Sequence, residues 1–262
     1  MPGNELLTCL LVEQKKLFRS KIPLTTLLAL TLVPLMAGFF MFILKDPLLA
    51  QRLGFISTKA QIMGEAHWAA YLSLLAQAVS VGGLLVFAFV ASWIFGREYV
   101  EGTIKDLLAL PVSRWSLVLA KFLVASLWCL GLAAYVLTLG LAVGWLAGLP
   151  GASPEVIVSG AVLFLKSAVL TILLSPPVAL LSSVGRGYLL SLGFAVLTMM
   201  LAQIAAAIGY GEFFPWSVPA LISGLAGSER AVLQPFSFFI LLAASALGVL
   251  GTGLWWRYAD QH

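Results

Sequence analysis

Six long runs without a charged side chain constrain this chain more than any motif does. They cover residues 22–44, 68–96, 122–154, 167–185, 187–211 and 231–256. An α-helix needs roughly 20 predominantly apolar residues to cross the hydrocarbon core of a bilayer. Each run is about that long or longer, so the sequence predicts six membrane spans. We place these spans at about 22-44, 70-96, 116-147, 157-184, 187-208 and 235-256.

Composition supports the membrane interpretation. Charged residues make up 10% of the chain and hydrophobic residues 61%, whereas a soluble domain is about 25% charged. The runs lack the period-2 alternation of barrel strands, and backbone groups in lipid must then be satisfied within helices. The predicted fold is therefore an all-α polytopic membrane protein in which residues 1-262 form a single transmembrane domain.

The first 21 residues predict an amphipathic helix that lies at the membrane interface before the first span. One face is assigned to Leu6, Leu7, Leu10, Leu11, Leu17 and Phe18, and the other to Glu13, Lys15, Lys16 and Arg19. This three- and four-residue spacing is typical of an interfacial helix. The alternative is a solvated basic tail. Because no small-residue cleavage site follows the run 22–44, we expect that run to remain as a membrane anchor.

The basic residues predict the orientation of the spans. With a cytoplasmic N-terminus, ten basic residues fall inside and four outside, in agreement with the positive-inside rule. The ten are Lys15, Lys16, Arg19, Lys21, Arg97, Lys105, Arg114, Lys121, Arg186 and Arg257, and the four are Lys45, Arg52, Lys59 and Arg230. We expect a multi-pass plasma-membrane protein with both termini cytoplasmic and residues 45–67 as the longest outer connection. The net charge of +4 reflects this topology and indicates no nucleic-acid partner.

Motifs for catalysis and nucleotide binding are missing from the sequence. No Gly-Lys dipeptide occurs, so a phosphate-binding loop of the GxxxxGK[ST] kind is absent, as is HExxH. His67 and His262 lie far apart, and Cys9 and Cys129 are interpreted as small apolar fillers. We predict no cofactor, no metal site and no enzymatic activity of the chain itself.

An ion-coupled secondary carrier or a channel is the alternative function that the spans leave open. Ion-driven carriers usually place Asp, Glu or His within the membrane, and the predicted spans contain no acidic residue. The absence of acidic residues from the predicted spans counts against an ion-coupled carrier. Sodium sites built from backbone carbonyls and a passive pore stay compatible with the sequence.

Residues 96–121 form a compact polar segment between two spans. Charged residues from Glu98 to Asp106 are followed by leucines and then by Pro111. Because the residue before a proline disfavours helix, the pattern predicts a short amphipathic helix on the cytoplasmic surface that is stopped at Pro111. The alternative is a solvated loop whose charges only set the topology.

This segment resembles the cytoplasmic connection between the second and third helices of type-2 ABC exporter permeases. The resemblance rests on Glu101-Gly102-Thr103, Leu107-Leu108, Pro111-Val112-Ser113-Arg114 and Lys121. The layout is similar too, with a basic amphipathic lead-in and six spans. FPWSVP at 214–219 is similar to the bacitracin-resistance and lantibiotic-immunity branch.

The resemblance implies a half-transporter without a nucleotide site of its own. In that class the permease pairs with a second permease, a copy or a paralogue, and docks on two separate ABC ATPase subunits. It does so through the cytoplasmic connection, here a short coupling helix, and the N-terminal helix. The coupling residues implied are Arg97, Glu98, Glu101, Gly102, Thr103 and Lys105. Charged members would form salt bridges and Gly102 would permit close approach, whereas Arg114 and Lys121 are either contacts or interfacial anchors.

Four residues are candidates for a substrate path or gate, namely Lys166, Pro176, Pro177 and Trp216. Lys166 either snorkels to the outer interface, which we prefer, or faces a path or a second permease near mid-membrane. The two prolines break the fourth span.

Trp216 lies in the apolar stretch 213–224, which is too short to cross the membrane. We expect this stretch to dip into the outer leaflet and pack against the fifth and sixth spans or line the exit of the path. The alternative is an extracellular loop with aromatic anchors.

Overall fold

The computed structural model describes residues 2–45, 66–225 and 234–258, and every regular element in these ranges is a helix. This confirms the predicted all-α fold. We number the helices α1 to α10 in chain order. They are α1 Pro2–Arg19, α2 Ile22–Leu44, α3 Trp68–Val100, α4 Ile104–Leu108, α5 Arg114–Leu146, α6 Pro154–Ile172, α7 Pro176–Val184, α8 Leu189–Ala207, α9 Val218–Ile222 and α10 Pro235–Tyr258.

Within the part of the chain that the structure describes, six helical stretches are long and apolar enough to cross a membrane, as predicted. They are α2, α3, α5, α6 together with α7, α8 and α10. The helix α3 continues past the expected end at residue 96 as far as Val100, so Glu98 lies on its last turn. The expected outer connection, 45–67, lies almost entirely outside the described residues.

The fourth span consists of two helices because of its prolines. α6 begins where the Ser153 side chain accepts a hydrogen bond from the Val156 N–H at 3.2 Å, with Pro154 in the first turn. Both features favour a helix start. α6 ends at Ile172, and Pro176 and Pro177 then open α7, where a proline removes no intrahelical hydrogen bond.

The bundle has two ends. We call the one that holds α1, α4, the start of α5 and the last turn of α10 the α4 end. The Arg114 guanidinium donates there to the Trp256 carbonyl at 3.0 Å and the Arg257 carbonyl at 2.9 Å, which joins α5 to α10. At the opposite end α3 begins, and the Trp68 N–H donates to the Pro150 carbonyl at 3.1 Å. The α4 end of the bundle therefore holds both α1 and the last turn of α10.

The helix α1 does not divide its residues between two faces as the sequence predicts. Cys9, Glu13 and Leu17 are buried, while Leu7, Leu11, Phe18, Lys15 and Arg19 are exposed. The assignment of Glu13 to the solvated face, opposite Leu17, was wrong. Glu13 lies four residues before Leu17 and therefore on the same face of the helix, and a buried ion pair described below offsets the cost of removing its carboxylate from water.

Residues 211–222 fold into two 3₁₀ turns and α9, and this segment packs against several of the spanning helices. The 3₁₀ turns are Gly211–Phe213 and Pro215–Ser217, and α9 contacts α6 and α10 while the turns contact α8 and α10. Ser217, Val218 and Leu221 are buried. The predicted packing against the fifth and sixth spans is confirmed, and α6 contributes as well.

Serine hydroxyls bind this segment to α3. The Ser80 hydroxyl lies in a π-helical turn of α3, Val79–Gly83, and donates to the Pro219 carbonyl at 3.0 Å. Nearer the opposite end, the Ser73 hydroxyl donates to the Ser223 carbonyl at 3.3 Å. Ser80 lies twelve residues into α3, or roughly 18 Å at 1.5 Å per residue. The segment therefore reaches well along the span.

Candidate coupling site

The turn after α3 has a backbone conformation that requires Gly102. We call residues 101–106 the connecting segment. Gly102 has a φ of +70°, its N–H bonds to the Tyr99 carbonyl at 3.3 Å, and the Thr103 N–H bonds to the Glu98 carbonyl at 2.9 Å. This pair of bonds is a Schellman motif, in which the left-handed position is usually glycine. The glycine is thus explained by the chain reversal itself.

The connecting segment presents polar side chains to solvent. Glu101, Thr103, Lys105 and Asp106 are exposed, while Ile104 is buried and holds α4 against the protein. α4 ends at Leu108, before Pro111. A space of at least 4 Å is open beyond Gly102. The segment is therefore a firmly attached polar protrusion at the α4 end.

Arg97 and Glu101 form an ion pair on the surface of this protrusion. The Arg97 Nε donates to both carboxylate oxygens of Glu101 at 2.9 and 3.0 Å. The Glu101 side chain is 48% exposed, and the guanidinium also lies 5.1 Å from the ring centroid of Trp93. An exposed pair one turn apart contributes only about 0.3–0.5 kcal/mol. Both groups can therefore exchange partners at little cost.

Glu98 has a different environment from the other residues implied in coupling. Its side chain is 3% exposed, and its Oε1 accepts from the Lys121 ammonium at 2.7 Å and from the Lys16 ammonium at 3.2 Å. Its Oε2 is buried and accepts no hydrogen bond from the described residues. The carboxylate is directed into the protein, so a direct salt bridge from Glu98 to a partner does not fit its position.

Lys121 is the centre of a buried ion cluster, which we define as Glu13, Lys16, Glu98 and Lys121. Its side chain is 0% exposed, and its ammonium donates to Glu13 Oε2 at 2.9 Å, to Glu98 Oε1 at 2.7 Å and to the Ile94 carbonyl at 2.9 Å. It therefore has three acceptors for its three N–H groups. The interpretation of Lys121 as an interfacial anchor was wrong, because an anchor keeps its ammonium in the headgroup region.

Lys16 completes the ion cluster from α1. Its ammonium pairs with Glu13 at 2.7 Å as well as with Glu98, so the four formal charges sum to zero. Burial alone would lower the pKa of Lys16, but the two carboxylates outweigh burial and raise the pKa above its ordinary value of 10.5. The stabilisation that these pairs give the charged Lys16 is thus present at neutral pH and is lost at the alkaline side as the pH rises through the raised pKa.

Arg114 begins α5 and contacts protein instead of projecting outward. It is half-buried and bonds to the last turn of α10, as described above. The ring of Trp115, the next residue, lies so close to Gly253 of α10 that a β-carbon there would collide with it. The start of α5 is therefore fixed against α10, α3 and α1 at once.

The four path candidates occupy three different environments and are not brought together. Lys166 is exposed on α6. Pro176 is buried and Pro177 half-buried, with their backbone directly against Gly248 of α10, where a side chain would collide. Trp216 packs edge-on against Phe194 with ring centroids 5.4 Å apart. The proline break therefore serves close helix packing within the described chain.

Sequence reasoning did not predict the ion cluster, and of its four members only Glu98 was among the implied coupling residues. Glu13 and Lys16 were placed on the polar face of α1, and Lys121 was interpreted as either a contact or an interfacial anchor. One signal was available, since the span predicted at 116-147 already contains Lys121. A charged residue within a span usually has a buried partner. That partner could not be chosen from spacing, because Glu13 lies 108 positions away.

Residues 9–202 match the protein family described as ABC-2 family transporter protein. The matched stretch begins within α1, contains the connecting segment and the ion cluster, and ends in α8. The chain is also similar to the bacitracin transport permease protein BCRB of Bacillus licheniformis, at 28% identity over 181 residues. The aligned part covers 69% of this chain and 86% of that protein.

Proposed function

Because the chain belongs to the ABC-2 family of transporter proteins, we propose that it exports its substrate with energy from separate ABC ATPase subunits that dock at the α4 end. The family and the relative make the chain a multi-pass membrane permease of an ABC transporter. Docking, direction and the plasma membrane are our proposal. A second permease, a copy or a paralogue, completes the path.

The observation that carries the docking proposal is the exposed connecting segment. It projects Glu101, Thr103 and Lys105 from the α4 end, and its backbone is fixed by the Schellman motif at Gly102. A rigid polar protrusion suits a partner that must push on the permease, because a flexible loop would absorb the displacement. Arg97 and Glu101 are the charged groups best placed to exchange their mutual pair for pairs with an ATPase.

The α4 end is the cytoplasmic end in this proposal. Ten of the basic residues belong to the cytoplasmic set under this orientation, and only four to the other set. The end of α10 and the start of α5 lie together at the α4 end through Arg114. The absence of a Gly-Lys dipeptide agrees with nucleotide binding by a partner chain.

The relative named for bacitracin transport supplies the first substrate to test. We propose that the chain moves an amphipathic peptide antibiotic of that kind, since an apolar path between two permeases suits such a molecule. Lys166, exposed on α6, would then face lipid headgroups or the second permease. Trp216 and the 211–222 segment would lie near the outer end of the path.

The test uses two substitutions in the connecting segment with matched controls at the opposite end. Glu101→Arg and Gly102→Trp are introduced into the permease, which is purified with its co-expressed ATPase and reconstituted. Glu155→Arg reverses an exposed charge at the opposite end, and Gly151→Trp replaces a glycine with φ +79° and open space around it. The controls therefore carry the same charge change and the same backbone strain.

We expect both substitutions in the connecting segment to abolish bacitracin-stimulated ATP hydrolysis while the permease still inserts. The two controls should retain it. Stimulation that survives in both Glu101→Arg and Gly102→Trp would overturn the docking assignment. Transport that follows an ion gradient without any ATPase subunit would instead favour a secondary carrier.

A further inference from the structure

The ion cluster joins three helices that are far apart in the sequence. Glu13 and Lys16 belong to α1, Glu98 to the last turn of α3, and Lys121 to α5. Replacing such a buried network by apolar residues is often neutral or stabilising, whereas removing a single member is strongly destabilising. Stability alone therefore gives little reason to bury three of these charges and to half-bury the fourth, on Lys16. What the network does provide is a fixed relative position of the three helices.

Glu98 connects the ion cluster directly to the connecting segment. Its side chain binds Lys121 and Lys16, and its backbone carbonyl accepts the Thr103 N–H at 2.9 Å in the Schellman motif. Glu101 and Gly102 follow within four residues. A displacement of the connecting segment must consequently move Glu98, and with it both lysines.

The α1 side of the ion cluster is fixed by packing as well as by charge. Leu17 is 1% exposed, and Cys9 packs beside Leu117 and Ala120 of α5. The rings of Phe18 and Trp128 pack edge-on, with centroids 5.4 Å apart. α1 is therefore attached along its length to α5. The Lys121 ammonium also lies 5.7 Å from the ring centroid of Trp256 of α10, which brings a fourth helix to the same point.

We propose that the ion cluster is a rigid joint through which α1 and the connecting segment move as one body, with Lys121 as its positioning residue. This inference rests on the proposed function, because the movement is driven by the docked ATPase. Displacement of the connecting segment would pass through Glu98 and Lys121 to α1, α3 and α5 together. A loop held only by its own backbone would bend instead.

The experiment removes the joint without leaving an unpaired charge. The double variant Lys121→Met/Glu98→Gln eliminates one positive and one negative group and keeps the Glu13–Lys16 pair within α1. Lys45→Met is the matched control, since the Lys45 ammonium bonds to the carbonyls of Ala147 and Gly148 at the opposite end of α5. Should the first double variant fail to insert, Glu13→Gln/Lys121→Met keeps the Lys16–Glu98 pair instead.

Spin-label distances report the motion directly. Cys9→Ala and Cys129→Ala remove the native thiols, and labels are placed at the exposed positions Lys15 and Asp106 or at Asp106 and Glu155. Labelled permease is diluted with unlabelled permease in nanodiscs, with its ATPase, and measured with and without ATP and vanadate. We expect an unchanged 15-to-106 distance on trapping, and a changed 106-to-155 distance.

In Lys121→Met/Glu98→Gln the distribution of the 15-to-106 distance should become broader, and its mean should change when the complex is trapped with ATP and vanadate. The number of bacitracin molecules transported per ATP hydrolysed should fall roughly tenfold. Lys45→Met should behave like the unsubstituted permease. A 15-to-106 distance and a transport ratio that stay unchanged in the double variant would overturn the joint. If the ATPase does not associate with the unsubstituted permease, the proposed function fails. The existence of the joint is then still decided in the permease alone, by whether the distribution of the 15-to-106 distance is broader in the double variant than in the unsubstituted permease.

Discussion

The two ends of the bundle hold their short non-spanning segments by different chemistry. At the α4 end, Glu98 and Lys121 lie in a buried network of full charges. At the opposite end, the hydroxyls of Ser80 and Ser217 donate to the carbonyls of Pro219 and Ala202, both at 3.0 Å. Neutral hydrogen bonds contribute about 1 kcal/mol each and can break singly. A charge network resists partial opening, because each released partner is left as a buried charge.

This difference assigns the two ends different mechanical properties. The α4 end is suited to transmit a displacement without deforming. The 211–222 segment is suited to shift in small steps, because each serine bond can be lost and replaced separately.

Removing the central lysine should have the largest effect. Lys121→Met leaves the buried carboxylates of Glu13 and Glu98 with only Lys16 as a partner. We expect a loss of about 3 to 5 kcal/mol in the free energy of unfolding, measured by denaturant titration in mixed micelles. Lys45→Met removes an exposed ammonium that bonds to the carbonyls of Ala147 and Gly148, so it should lower this free energy by about 1 kcal/mol at most. Equal losses in the two variants would remove the distinction between the ends.

Removing a serine hydroxyl should have a smaller and additive effect. Ser80→Ala and Ser217→Ala each delete a buried hydroxyl bonded to a backbone carbonyl, so we expect about 1 kcal/mol for each. In the double variant the loss in the free energy of unfolding should equal the sum of the two single losses to within about 0.5 kcal/mol. Denaturant titration in mixed micelles measures all three variants. A strongly non-additive result would show that the opposite end is a cooperative network like the ion cluster.

Thiol accessibility tests how the 211–222 segment is covered. In the background without native cysteines, Ala220→Cys and Ile222→Cys should resist a membrane-impermeant thiol reagent in intact cells, since Ala220 is 8% exposed and Ile222 is partly buried. Glu155→Cys, exposed at the same end, should react. Rapid labelling at all three positions would identify the segment as an ordinary solvated loop.

Lys166→Met should have the smallest effect. This substitution matches Lys121→Met, but Lys166 is exposed on α6 and does not belong to the buried ion cluster. We expect transport of bacitracin in reconstituted vesicles to remain near its original rate. A large loss of transport at normal expression would place Lys166 on the path or at a second permease.

The helices were predictable because their determinants are local. The run Ile22–Leu44 appears as one helix over the residues expected, and Ser153 and Pro154 mark the start of α6. Side-chain orientation was less predictable. Glu13 and Leu17 share a face of α1 because they lie four residues apart, but hydrophobicity alone does not predict that the Glu13 carboxylate on this face is buried. The difference arises because Lys121, on another helix, compensates the Glu13 charge.

The sequence by itself determined the number of spans and the helical fold, since these depend on runs of apolar residues. The tertiary structure alone decided that Glu98 turns inward, that Lys121 binds Glu13 and Glu98, and that the 211–222 segment rests on Ser80. These contacts join residues that lie 23 to 139 positions apart. Their geometry exists only after the helices have packed, because a buried charge or carbonyl acquires its partner from whichever helix lies beside it.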